Sequence, residues 1–241
     1  MGVETLINFN DKDLHDYCYN FLKTHYSEIS RRKDEYLYAY GDLPLLLVAH
    51  LDTVFSDKGT HNKELYYDKE KQVQWCPEGA GFDDRAGVDA IIQLVEWSMQ
   101  TFGKVPSVLF THDEELGGIG ASSFCDDCLL IYGVPLVKFI IELDRQGRDD
   151  CVFYNCHNLE FIKYIQHKKF CYSYGTFSDI TFFAKEFDIA AVNLSIGYEN
   201  EHSLIELLHV DWMNETIEKV KDIIKDLPDL PYYAFENKIK N

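Results

Sequence analysis

The apolar positions of this chain follow two rhythms, one helical and one extended. Residues 11–26 repeat them at helical spacing, with Leu14, Tyr17, Phe21 and Leu22 on one face. Residues 35–40 and 43–50 read as strands joined by Gly41-Asp42, which predicts a hairpin, and residues 64–76 predict a second hairpin around a charged turn. A glycine-rich turn at 79–87 leads into a helix over 88–100 that Gly103 ends. Apolar strands are expected at 107–115, 137–144 and 190–198. Helices are expected within 118–129 and over 158–169, 177–187 and 211–227, with Ser178 or Asp179 near the cap of the third. The Pro-interrupted tail, 228–241, is expected to be flexible.

Strands alternating with helices, without repeats or a Gly/Ser linker, predict an α/β fold: a mostly parallel central sheet with helices on both faces. The length of 241 residues suits a single domain spanning 1–241. In such sheets ligands gather beyond the strands' C-terminal ends. Three apolar strands here run into candidate ligands. Residues 45–55, "LLLVAHLDTVF", end a buried strand in His50 and Asp52, which period-2 alternation puts on one face. The others reach Asp113 to Glu115, and Glu142 with Asp144. Taken singly, these groups also fit a strand-end histidine, helix caps or a solvated acid pair.

Composition narrows the partners. A formal net charge of −18 disfavours nucleic acid and anionic membranes. No apolar run approaches the ~18 residues of a membrane span. The first twenty residues lack the apolar core of a secretory signal. Seven scattered cysteines suit a reducing compartment, so a cytoplasmic location is expected. "CDDC" at 125–128 has no matching second pair and reads as ordinary thiols rather than a zinc site. His112, His157 and His209 lack motif support.

Collected in order, "HLDT" (50–53), "GFDDRAG" (81–87), "DEELGG" (113–118), "ELD" (142–144), "TFSDITFF" (176–183) and "EHSLIE" (201–206) resemble the co-catalytic di-zinc exopeptidase superfamily, which comprises the M20, M28 and M42 metallopeptidases. "DDRAG" is most similar to tripeptidase-like M20 members and the M42 group. The resemblance implies two Zn²⁺ ions, with Co²⁺ or Mn²⁺ as substitutes. His50 and Asp144 would hold one ion, Glu115 and His202 the other, and Asp83 would bridge both. Asp84 would support the turn, Asp52 would orient His50, and Glu114 would be the general base for a metal-bridging hydroxide. The function implied is hydrolysis of an amide bond in small peptides, as an aminopeptidase or other exopeptidase. An N-acyl-amino-acid deacylase is the alternative, with Arg85, Arg145 or Arg148 as carboxylate anchors, and a metal-free scaffold is a third reading.

Lidded M20 enzymes insert a dimerisation domain between the late acidic ligand and the final histidine. Only residues 145–201 lie between Asp144 and His202 here, and predicted strands and helices fill them. A lidless layout, with no lid-mediated dimer, is therefore expected. Tyr154, His157 and Tyr198 are the candidates for the group that a lid histidine would supply. The aromatic residues Tyr66, Tyr67 and Trp75 are expected to wall the cleft.

Overall fold

The computed structural model describes residues 2–55, 63–132 and 135–237. Helices α1 (Val3–Leu6) and α2 (Asp11–His25) precede strands β1 (Ile29–Arg32), β2 (Tyr36–Ala39), β3 (Leu43–His50), β4 (Tyr66–Asp68) and β5 (Val73–Trp75). Helix α3 (Phe82–Phe102), β6 (Pro106–Thr111), α4 (Ile119–Asp127), β7 (Ile140–Arg145), β8 (Asp150–Val152), α5 (Leu159–His167) and β9 (Cys171–Tyr172) follow. The chain continues through α6 (Ile180–Glu186), β10 (Ala191–Ser195), β11 (Tyr198–Glu199), β12 (Leu207–His209) and α7 (Val210–Asp226). An eight-stranded sheet has the order β1-β2-β6-β3-β7-β10-β8-β9. Its centre, β6-β3-β7-β10, is parallel throughout. Antiparallel pairings attach β2 on one side and β8 on the other.

Side-chain alternation divides the sheet into two apolar faces. Leu45, Leu47 and Ala49 of β3, with Ile141 and Leu143 of β7, pack on α2, α3, α5 and α7 through residues such as Leu14, Ile91, Phe161 and Val220. Leu46 and Val48 of β3, Leu109 of β6, Ile140 of β7 and Ala191 of β10 face α4 and α6, where Phe124 and Phe183 meet edge to face at 5.7 Å. The second series is the one that turns polar toward one end of the sheet. Continued in steps of two residues, it gives His50, Thr111, Glu142, Asp144 and Asn193. The strand period therefore delivers these polar groups to the α4/α6 side.

The 64–76 hairpin forms as β4 and β5, paired antiparallel inside a separate four-stranded sheet, β11-β12-β5-β4. The hairpin expected across Gly41-Asp42 does not form. The turn reverses the chain, but β6 enters between the two strands. Val108 pairs with Ala39 on one side and Leu47 on the other. Strand β2 instead makes its local hairpin with β1. The stretch after α7 is also packed, through residue 235. Tyr233 is buried and exchanges backbone hydrogen bonds with Lys138 and Ala190, and Phe235 N–H donates to Asp188 at 3.2 Å. Residues 238–241 of the tail lie outside the described residues. Among the described residues no helix is long and apolar enough to cross a membrane.

The crossing that replaces the expected hairpin is tight. A Cβ on Gly41 would lie 2.4 Å from the Val105 and Pro106 carbonyl oxygens, and the Gly41 N–H donates to Ser107 Oγ at 3.1 Å. Backbone cannot yield as a flexible side chain would. Gly41→Ala is expected to destabilise the protein by about 1–3 kcal/mol, read from the urea midpoint. An unchanged midpoint would show that β6 does not constrain this turn.

Candidate metal centre

Asp83 stands between two histidines. Its Oδ1 lies 3.0 Å from His50 Nε2, and its Oδ2 lies 3.1 Å from His202 Nε2. Asp144 Oδ1 approaches His50 Nε2 at 3.3 Å, and Glu115 Oε2 approaches His202 Nε2 at 2.9 Å. The five side chains are thus brought together as two histidine–acid pairs that share one carboxylate. Two overlapping groups have ligand atoms within ion-binding reach, His50-Asp83-Glu115 and His50-Asp84-Asp144. Asp84 is the weaker donor of these, because both its oxygens are used. They accept the backbone N–H groups of His50 (3.2 Å) and Gly87 (3.0 Å).

Each member is held by neighbours. Asp52 Oδ1 lies 3.2 Å from His50 Nδ1, and its carboxylate also accepts the N–H groups of Glu114 and Glu115 at 3.2 and 3.1 Å. This single side chain fixes both the imidazole and the acidic turn, and such an outer partner sets the tautomer of a ligand histidine. Glu206, buried, accepts the N–H groups of Gly81 (2.8 Å) and Asp83 (3.0 Å). A Cβ on Gly87 would lie 2.0 Å from the Leu143 carbonyl oxygen, so only glycine lets α3 approach β7 this closely. Asn193 accepts the Asp144 N–H at 3.0 Å, and the Tyr198 hydroxyl donates to Asp144 Oδ1 at 3.2 Å. Below them the Ser178 hydroxyl donates to Glu142 and the Thr111 hydroxyl to Asp179. Ser178 and Asp179 do stand at the start of α6, but Asp179 makes no cap bond there.

Glu206, Asn193 and Thr111 are not among the site residues expected from the sequence, and Glu142, a candidate ligand beside Asp144, carries no specific role there; Glu206 lies inside "EHSLIE". Alternation from Leu109 and Ala191 would have flagged Thr111 and Asn193.

The electrostatics favour cations. Burial, then the carboxylates of Asp83 and Glu114, push Asp144 up to about 8 against the pull of His50. Burial, then Asp179, Asp83 and Glu115, push Glu114 up to about 7, again against His50. Burial and the Asp144 charge raise Glu142 as well. Crowded carboxylates hold protons unless positive charge is supplied, and a divalent ion reverses that balance. Glu115 Oε1 is buried without a hydrogen-bond partner, a vacant acceptor beside His202. Imidazoles and carboxylates without a thiolate suit hydrolytic Zn²⁺, Co²⁺ or Mn²⁺. The residues present fit a metal site.

A cleft of about 390 Å³ opens on this cluster, lined by Asp83, Glu114, Glu115, Asp144, Tyr154, Phe177, Tyr198 and His202 among others. Its aromatic side is not the expected one. Tyr66, Tyr67 and Trp75 do not line it, because β5 pairs with β12 and carries the hairpin into the second sheet. Residues 56–62 of the same loop lie outside the described residues. Tyr154 and Tyr198 line the cleft and His157 does not. Of the three arginines, Arg145 lines it. Arg85 is buried against Leu51 O and Asp11, and Arg148 pairs with Glu215 at 2.8 Å. Cys125 and Cys128 are buried, with thiols raised by burial, and join no candidate metal group among the described residues.

Neither a family model nor a curated protein sequence matches the chain. Solved structures do. A tripeptidase from Staphylococcus aureus superposes with a TM-score of 0.77 at 14% identity, over 95% of this chain and 97% of that one. The aminopeptidase PepT from Bacillus cereus gives 0.74 at 13% identity, over 94% and 97%. A TET aminopeptidase from a marine sediment archaeon gives 0.66 at 14% identity, over 93% and 96%. The chain shares the fold of these peptidases.

Behind the acidic turn, His112 Nε2 lies 2.9 Å from His15 Nδ1, both rings buried. Burial first, then His15, depresses His112 from 6.5 to about 4. The unfolded chain therefore takes up a proton in this range before the folded one does. Stability present above pH 6.5 is expected to fall as pH drops toward about 4. His112→Gln keeps a polar group near the Nε2 position and should flatten this slope in urea midpoints measured from pH 7 to 4. An unaltered slope would exclude the pair as its source.

Proposed function

We propose that this chain is a metal-dependent peptidase, a single catalytic domain that removes residues from an end of small peptides, acting as an aminopeptidase. The observation that carries this reading is the Asp83 carboxylate, with one oxygen toward each of two histidine–acid pairs. His50 and Asp144 would hold one zinc ion, Glu115 and His202 a second, and Asp83 both; cobalt or manganese would fit the same donors. When bound, such ions acidify a coordinated water and polarise a carbonyl. The remaining work falls to the protein. Glu114 lines the cleft beside Asp83 and Asp144 and burial raises its carboxyl above the usual range, so it can take a proton from the attacking water and return it to the leaving nitrogen. Asp52 keeps the His50 ring oriented through Nδ1. Residues 145–201 supply β8 to β11, α5 and α6. These elements support a reading in which loops wall the cleft and no lid-mediated dimer is expected. The shared peptidase fold supports the reading, and the scattered cysteines support a cytoplasmic site of action.

A second reading, an N-acyl-amino-acid deacylase, is favoured by one observation. Arg145 lines the cleft and could hold a substrate carboxylate. A panel of aminoacyl-anilides, di- and tripeptides and N-acetyl amino acids separates the two.

After chelation, calorimetric titration with Zn²⁺ is expected to show two ions per chain, and a chain that binds none would end the peptidase reading. Glu114→Gln is nearly isosteric and should retain both ions while losing turnover by about 10²–10⁴-fold. Glu115→Gln should instead weaken one ion. Near-normal turnover in Glu114→Gln would remove Glu114 from the role of base.

A further inference from the structure

Five acids line the cleft, and four of them have places in the cluster. Asp83, Glu115 and Asp144 face the histidines, and Glu114 stands beside them. Glu201 is the fifth, and it is held differently. Its Oε1 accepts the amide of Gln146, another lining residue, at 2.7 Å. Among the described residues it has no ion-pair partner. The nearby Arg145 is engaged by Asp150 at 3.5 Å, and His202 by Asp83 and Glu115. A neutral amide fixes a carboxylate without cancelling its charge.

The backbone also fixes Glu201. Strand β11 immediately upstream pairs with β12. The residues on either side, Asn200 and His202, both adopt left-handed conformations, with φ of 59° and 61°. Such conformations persist in non-glycine residues where the surrounding structure enforces them. The result is a preoriented, uncompensated carboxylate in the cleft, adjacent in sequence to His202.

We infer that Glu201 receives the free α-amino group of the substrate, so that the site selects peptides with an unblocked N-terminus. This rests on the peptidase reading above. An α-ammonium group offers three donors and a full charge, and its hydrogen bond to a carboxylate is of the strong, charge-assisted kind. Standard bond lengths put the α-nitrogen roughly 2.5 Å from the carbonyl carbon of its own residue. An anchor for it must therefore lie close to the groups that act on that carbonyl, and a residue next to His202 meets this requirement. Gln146 acts through Glu201 as a positioning residue.

The test uses trialanine and N-acetyl-trialanine with the zinc-loaded protein. Glu201→Gln preserves shape and removes charge. It is expected to raise KM for trialanine roughly 10–100-fold while changing kcat little, the loss of one charged hydrogen bond. Gln146→Ala should raise KM by a smaller factor, also without a comparable fall in kcat. Unchanged zinc stoichiometry in both variants would show that the metal cluster is intact. N-acetyl-trialanine should not be turned over by the wild type. An unchanged KM in Glu201→Gln, or equal turnover of the acetylated peptide, overturns the assignment of Glu201 alone. Failure of the wild type to hydrolyse any peptide of the wider panel overturns the peptidase reading, and the assignment of Glu201 with it.

Discussion

The geometry of this protein's cleft depends on one carboxylate having to face two ways. Asp83 can present one oxygen to His50 and the other to His202 only if its backbone is held at a fixed point between them. Three contacts hold it. Glu206 accepts the N–H groups of Gly81 and Asp83, which pins the start of α3 from one side. Asp84 accepts the N–H groups of His50 and Gly87, which ties the same turn to the end of β3. Gly87, lacking a Cβ, lets the first turns of α3 lie against the Leu143 carbonyl of β7. The loop after β6, the ends of β3 and β7 and the loop after β11 then close around that point.

This arrangement is electrostatically expensive. Asp52, Asp83, Asp84, Glu142, Asp179 and Glu206 are all buried, with Asp144 and Glu115 beside them. The buried positive charge near them is His50, when protonated, and Arg85, and the latter is directed to backbone oxygens and Asp11. Buried charge without compensation costs several kcal/mol per ion. Part of that cost is offset locally by hydrogen bonds from Ser178, Thr111 and Tyr198. Proton uptake by Asp144 and Glu114 relieves more of it. The remainder is carried by the apolar layers on both faces of the sheet, which confine the polar groups to one end of the strands.

Much of this was legible in the sequence for a simple reason. Strand alternation and strand ends are local properties, so "LLLVAHLD" already places His50 and Asp52 together, and "FIIELD" places Asp144 at the same level. Pairing between distant strands is not local. Gly41-Asp42 has the composition of a hairpin turn, and nothing within residues 35–50 announces that β6, more than fifty residues later, separates the two strands. The aromatic wall failed for the same cause. Tyr66, Tyr67 and Trp75 are adjacent to the motifs in sequence, but β12 draws their hairpin into the second sheet. Glu206 lies within a motif but shows no role in the sequence, because its partners are backbone N–H groups some 125 positions away. A backbone donor leaves no mark in a sequence.

The segment 200–206 joins these levels. Glu201 reaches the cleft, His202 meets Asp83 and Glu115, and Glu206 carries the backbone beneath Asp83. Within it, the Ser203 hydroxyl donates to the Asn200 carbonyl at 2.6 Å, and the Glu206 N–H donates to the Ser203 carbonyl at 3.1 Å. These bonds make the seven residues one compact turn rather than a loose connection. Its half-exposed end and its buried end therefore belong to one element. Glu206 holds the backbone of Asp83, whose carboxylate meets His202, the neighbour of Glu201. The groups that would choose a substrate and the groups that would act on it are positioned by one element, anchored at its buried end to the first turn of α3.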